Sequence, residues 1–152
     1  MNTLLYRCAA TWTVVGLLSG LGYRELTRSQ GFEGRTQLAV VHTHTLVLGM
    51  VFFLVLLALN ELFRLEEDRR FRIGVGVWNA GLALSATMLT VKGSLQVLGS
   101  TAADHKAIAG ISGLGHITLT AALLFLFMAL GARVQAGRED ADRAGREEVV
   151  SA

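Results

Sequence analysis

Two histidines one residue apart, His42 and His44, stand in "VVHTHTLVLGM" (residues 40–50), and a third, His116, stands in "GISGLGHI" (residues 110–117). Both stretches are otherwise free of acidic and basic side chains. Ionisable groups in such apolar surroundings are expensive and point to function. Neutral imidazole ligates iron, copper and zinc. A tetrahedral zinc site would want further thiolate or carboxylate donors, and these stretches lack them. Haem asks only for one or two axial ligands and an apolar slot, so b-type haem is the expected cofactor and copper the weaker candidate. Gly113 and Gly115 flank His116 closely enough for a flat macrocycle to approach the backbone there. Close helix packing is the competing account of Gly-x-x-His. The fourth histidine, His105, sits between Asp104 and Lys106 and is expected to be an exposed residue near a helix N-cap.

Two residues along an α-helix turn about 200°, so His42 and His44 emerge on nearly opposite faces. They cannot both ligate one iron from the same side. Either one is a bystander or this helix serves two sites.

The elements that must carry these residues are membrane spans. The chain has 152 residues, 52% hydrophobic, with 17 glycines, one cysteine and no proline, and a mean hydropathy of +0.48. Those values exceed what a soluble domain of this length shows. Four runs are long enough to cross hydrocarbon, which takes roughly 20 apolar residues each: about 3–23, 38–59, 73–91 and 107–132. The expected fold is all-α, an integral membrane four-helix bundle occupying residues 1–133. Residues 134–152 form a polar, partly disordered tail. The first run is expected to stay as an uncleaved helix, since no clear small-x-small cleavage site precedes "YRELTR". Absence of proline predicts uninterrupted helices. The lone Cys8 reads as a packing residue.

Basic residues set the orientation. Arg7, Arg64, Arg69, Arg70, Arg72, Arg133 and the tail arginines outweigh Arg24, Arg28, Arg35, Lys92 and Lys106 on the other side. Both chain ends are therefore expected in the cytoplasm. His42 and His44 then lie roughly 8–10 Å, and His116 roughly 15 Å, inside the outer boundary. That common depth is what a shared site requires. The pI near 9.1 is a topology signal and makes no case for nucleic acid.

"TQLAVVHTHTLVLGM" together with "AIAGISGLGHI" resembles a family of small, uncharacterised four-helix bacterial membrane proteins, over most of the chain except the tail. More distantly, "HTHTLVLGM" is similar to the His-x-His segments of the nitric-oxide-response haem–copper membrane family and of the haem–copper oxidase catalytic subunit. In the oxidase each histidine of the pair serves a different haem, and the ligand helix is second in a group of four. The resemblance implies a haem-binding protein of the bacterial inner membrane, for electron transfer or for sensing or handling nitric oxide or oxygen. The copper-binding histidine cluster and active-site tyrosine of the oxidase have no match, which speaks against oxygen reduction and proton pumping. By analogy with the three groups, three copies could assemble as a homotrimer, with His42 of one subunit and His44 of the next holding one haem. Outer basic residues such as Arg24, Arg28, Arg35 or Lys92 would meet its propionates. The other arrangement holds haem within one bundle, between His116 and either His42 or His44.

Two further classes stay open: a small transporter or channel whose histidines line a polar path, and an assembly subunit whose histidines pack. No nucleophile–base pair, phosphate loop or metal-hydrolase spacing is present, so no catalytic residue is expected.

Overall fold

The computed structural model describes residues 1–151; Ala152 lies outside them. The four apolar runs form helices α1 (Asn2–Ser29), α2 (Gln37–Phe63), α3 (Arg69–Val97) and α4 (Lys106–Ser151), and the described residues contain no strand. Each helix is long and apolar enough to cross a membrane. Large apolar side chains such as Leu17 and Phe127 are 64% and 67% exposed, a surface suited to lipid rather than water. The helices overrun the expected spans because the polar residues at their ends continue the turns. Beyond Arg133 the chain expected as partly disordered tail is helical through Ser151. Alanine, glutamate and arginine are good helix formers, and an Asp140–Arg143 pair at 3.7 Å spans one turn.

The helices run alternately up and down. One end of the bundle carries most of the arginines, the other the histidines. At the arginine-rich end Asn60, 3% exposed, ties three segments together. Its amide donates to Asn2 Oδ1 at 2.6 Å and to Glu66 Oε2 at 3.3 Å, and its carbonyl accepts the Glu66 N–H at 2.7 Å. Arg133 reaches from α4 to the Phe63 carbonyl at 3.0 Å and to Glu67 at 2.9 Å. Asp68 caps α3 by accepting the Arg70 N–H at 2.8 Å.

Hydrogen bonds from Arg70 hold the Asp68 carboxyl below its ordinary value, and those from Asn60 and then from the chain's amino group do the same for Glu66. A depressed carboxylate stabilises the fold fully above its unfolded pKa, about 4, and that contribution disappears as pH falls through the lowered folded value. The melting temperature in detergent is therefore expected to hold from neutral pH to about 4 and then fall. Asp68→Asn should melt lower at neutral pH and lose less in acid.

α3 is the most enclosed helix, 44% of its apolar window being buried against 22% for the others. Small residues let its neighbours come close, as they do in membrane interfaces. Gly74 and Gly81 receive Leu126 and Leu119 of α4, and Gly115 of α4 lies on Ser85 of α3. Gly93 receives the backbone of Leu38 at the start of α2, where Thr36 Oγ1 also donates to the Gly93 carbonyl at 2.8 Å. A methyl at position 93 would overlap the Leu38 nitrogen and stand 2.6 Å from its Cα. Backbone cannot swing aside as a side chain can. Gly93→Ala is expected to destabilise at the upper end of overpacking, about 3 kcal/mol or more, read as a lower melting temperature in detergent.

Candidate functional site

The histidine pair lies at a change of helix type. α2 opens as a 3-10 turn over Gln37–Val40, runs as α-helix over Val41–His44, widens to π-helix over Thr45–Val51, and resumes as α-helix over Phe52–Phe63. An uninterrupted α-helix was the expectation from the missing proline. Side chains and neighbours create the difference. Thr45, fully buried, turns its hydroxyl back to the carbonyls of Val41 and His42 at 2.9 and 3.1 Å, and such back-bonding loosens the α ladder. Farther along, the Phe52 N–H bonds Val47 and Gly49 carbonyls and bypasses Leu48, its α-helical partner. The bypassed Leu48 carbonyl accepts the Trp78 indole N–H from α3 at 2.8 Å. Trp78 also stacks on Phe52, ring centroids 3.9 Å apart. Isolated π turns inside α-helices occur frequently at functional sites.

His42 and His44 part company. His42 packs on α1, where a Cβ at Gly20 would stand 3.6 Å from its own Cβ. Its Nδ1 is buried without a hydrogen-bond partner, and its Nε2 lies 3.3 Å from Thr43 Oγ1. His44 instead sets its Nδ1 3.0 Å from the Val40 carbonyl, one turn back. His116 does the same on α4, with Nδ1 3.0 Å from the Ser112 carbonyl. A carbonyl oxygen only accepts, so both rings carry the proton on Nδ1. In the neutral ring this tautomer leaves the Nε2 lone pair for a ligand, in the manner of metal-ligating histidines whose other nitrogen is held by a backbone carbonyl.

Toward the histidine end a groove opens between α2 and α4. α2 and α4 touch only at the arginine-rich end of the bundle: α4 contacts the Phe52–Phe63 stretch, whereas among the described residues no Cα of 37–51 lies within 8 Å of it. Where they approach, Phe52, Val55, Leu59, Leu123, Phe127 and Leu130 line a wholly apolar cleft of about 190 Å³. On α4, His116 precedes Leu123, Phe127 and Leu130 at helical spacing and so lies on the same face. On α2, the eight residues from His44 to Phe52 would turn about 80° past two full turns in an α-helix. The wider π turns shrink that offset, bringing His44 toward the line of Phe52. Helical phase thus turns His44 and His116 toward the sides of α2 and α4 that face each other.

α3 packs against both helices. Trp78, Gly81, Ser85, Met88 and Lys92 repeat at three and four residues, with Trp78 against α2 and Gly81 and Ser85 against α4. Lys92, half-buried, ends that line at the mouth. Arg35 stands apart from it: it is exposed and lines an open pocket of about 480 Å³ with Tyr23, Gln37 and Gln96. Arg24 and Arg28 are exposed at the same end. Of the two glycines beside His116, Gly115 is consumed by packing on Ser85. Gly113 is open, since a Cβ there would meet no described heavy atom within 4 Å. His105 is exposed, and its Nδ1 accepts the Ala107 N–H at 3.2 Å as α4 begins.

His42, His44 and His116 do not converge as a trio, and among the described residues no group of three His, Cys, Asp or Glu side chains gathers to hold a metal ion. Helical phase turns His44 and His116 toward the gap between α2 and α4, while His42 packs on α1. The π segment and the Trp78–Leu48 bond left no mark in the sequence beyond Thr45 and Gly49 in mid-span.

No curated protein and no solved structure matches the chain. A family model does match, over residues 1–133, which hold all four apolar runs and both histidine segments. By that match the chain belongs to the family described as "Protein of unknown function (DUF2871)".

Proposed function

We propose that this protein is a b-type haem carrier of the bacterial cell membrane, with His44 and His116 of one bundle as axial ligands, working in electron transfer. The observation that carries the proposal is the shared state of these two rings, each with Nδ1 tied to the carbonyl one turn back, on helix faces whose phase turns them toward one another. The residues suit the group. Two imidazoles supply the axial donors, the apolar cleft suits a macrocycle's hydrocarbon edge, and open Gly113 leaves room beside His116. Lys92 at the mouth offers an ammonium for a propionate. Arg35, across in its own pocket, is a weaker partner for one.

Bound there, haem would supply one-electron exchange between ferric and ferrous iron, with a reduced donor and an oxidised acceptor on either side. The chain's own residues orient it. Carbonyls of Val40 and Ser112 hold the two tautomers, and two imidazole donors would favour electron transfer over gas chemistry. The likeness of the His-x-His helix to the second helix of an oxidase four-helix group supports the same chemistry. Pairing His42 with His44 of a neighbouring subunit is disfavoured, because His42 is pressed on its own α1.

Oxidised and reduced absorption spectra of protein purified from haem-replete cells test the proposal. A Soret band with the sharp reduced bands of a bis-imidazole haem, unchanged by carbon monoxide, is expected. The mass of that complex is expected to be that of a homotrimer carrying one haem per chain. Absence of a Soret band would defeat the haem reading in favour of a transporter or assembly subunit.

A further inference from the structure

We infer that Trp78 is a positioning residue that aims His44 into the groove through the π segment of α2. The inference rests on the haem reading for its purpose, but its geometry stands without haem. The indole N–H occupies the Leu48 carbonyl at 2.8 Å, and Leu48 is the carbonyl that the Phe52 N–H would take in an α-helix. While the indole holds it, Phe52 bonds Val47 and Gly49 instead, and the segment stays wide. Without a donor at this position the Phe52 N–H can return to Leu48, and the helix tightens by reverting to i→i+4 closure. Everything on the histidine side of the segment then turns relative to Phe52. His44 would swing off the groove line toward the offset of about 80° that an unbroken α-helix imposes. The stack on Phe52 gives Trp78 a second grip on the same helix, one that phenylalanine would retain.

The experiment compares Trp78→Phe, which keeps a ring for the stack and removes the donor, with the parent protein. The first readout needs no haem. In a Cys8→Ser background, His44→Cys and His116→Cys are combined and treated with a short bifunctional thiol reagent. Efficient crosslinking within one chain is expected, falling several-fold when Trp78→Phe is added. The second readout is the reduced spectrum and midpoint potential of the haem-loaded protein with native histidines, where Trp78→Phe should replace much of the bis-imidazole signal by a high-spin one. Deletion of Val47, an exposed residue of the π segment, should close the segment without touching Trp78 and reproduce the loss of crosslinking should Trp78→Phe fold poorly. Crosslinking that is absent in the parent, or equally efficient with and without these changes, would overturn the inference. A parent that crosslinks and responds to Trp78→Phe but shows no Soret band would sustain the positioning of His44 and defeat the haem reading alone.

Discussion

His116→Ala and His44→Ala should each strip the bis-imidazole spectrum from the purified protein, whereas His42→Ala should leave it in place. In the proposed arrangement these two rings supply the ligands through Nε2, and each is fixed at Nδ1 by a carbonyl of its own helix that no substitution of a neighbour removes. Loss of an outer-shell partner alone lowers metal affinity roughly 10–100-fold, so loss of a ligand should lower haem retention by at least that much. The remaining histidine would hold a five-coordinate, high-spin iron that binds carbon monoxide. Added imidazole should restore the low-spin bands of His116→Ala, because position 116 lies at the exposed edge of the groove. His42→Ala should instead act on stability through its contact with Gly20 and through removal of a buried nitrogen that has no partner. The pattern separates the two arrangements. If haem were shared between His42 of one chain and His44 of the next, His42→Ala would erase the spectrum and His116→Ala would not change it.

Much of this layout was legible from residue types alone. The runs 38–59 and 107–132 contain no charge, so their spanning helices were plain. The divergence of His42 and His44 follows from two residues of helical turn. What the pattern could not reveal is which faces meet. Thr45 and Gly49 are the only hints of a π-helix in "TLVLGMV", because it depends on an indole thirty residues away and on a buried hydroxyl that prefers a carbonyl of its own helix. Gly113 and Gly115 look equivalent in "GISGLGHI", yet two residues of helical turn send one to the groove side and the other against Ser85. The difference belongs to the phase of α4 against α3, which is settled by tertiary packing. The helix after Arg133 was hidden for another reason: it lacks an apolar stripe, and its Asp140–Arg143 pair and high-propensity residues are weak signals against a polar composition.

The Gly115–Ser85 contact links that packing to the site, and its perturbation should be large. A Cβ at position 115 would overlap Ser85 Oγ and stand 3.2 Å from the Ser85 backbone nitrogen. Gly115→Ala therefore has to push α4 away from α3. A loss of about 1–3 kcal/mol is expected from such overpacking, and haem retention should fall with it because His116 is the next residue. Ser85 carries a buried hydroxyl without a partner, so Ser85→Ala alone removes an unsatisfied group and should be neutral or stabilising. It also clears the atom that the new methyl would strike. In the double variant the damage of Gly115→Ala should shrink, with a coupling above about 0.5 kcal/mol as expected for residues in contact. Melting temperature and haem retention of the four proteins measure it. Gly113→Ala separates packing from ligand room: with nothing to strike it should leave the melting temperature nearly unchanged while lowering haem retention, since the methyl would stand beside the macrocycle. Additive effects of Gly115→Ala and Ser85→Ala would mean that helix α4 is not seated by this contact, and that His116 owes its place in the groove to the leucines on Gly74 and Gly81 instead.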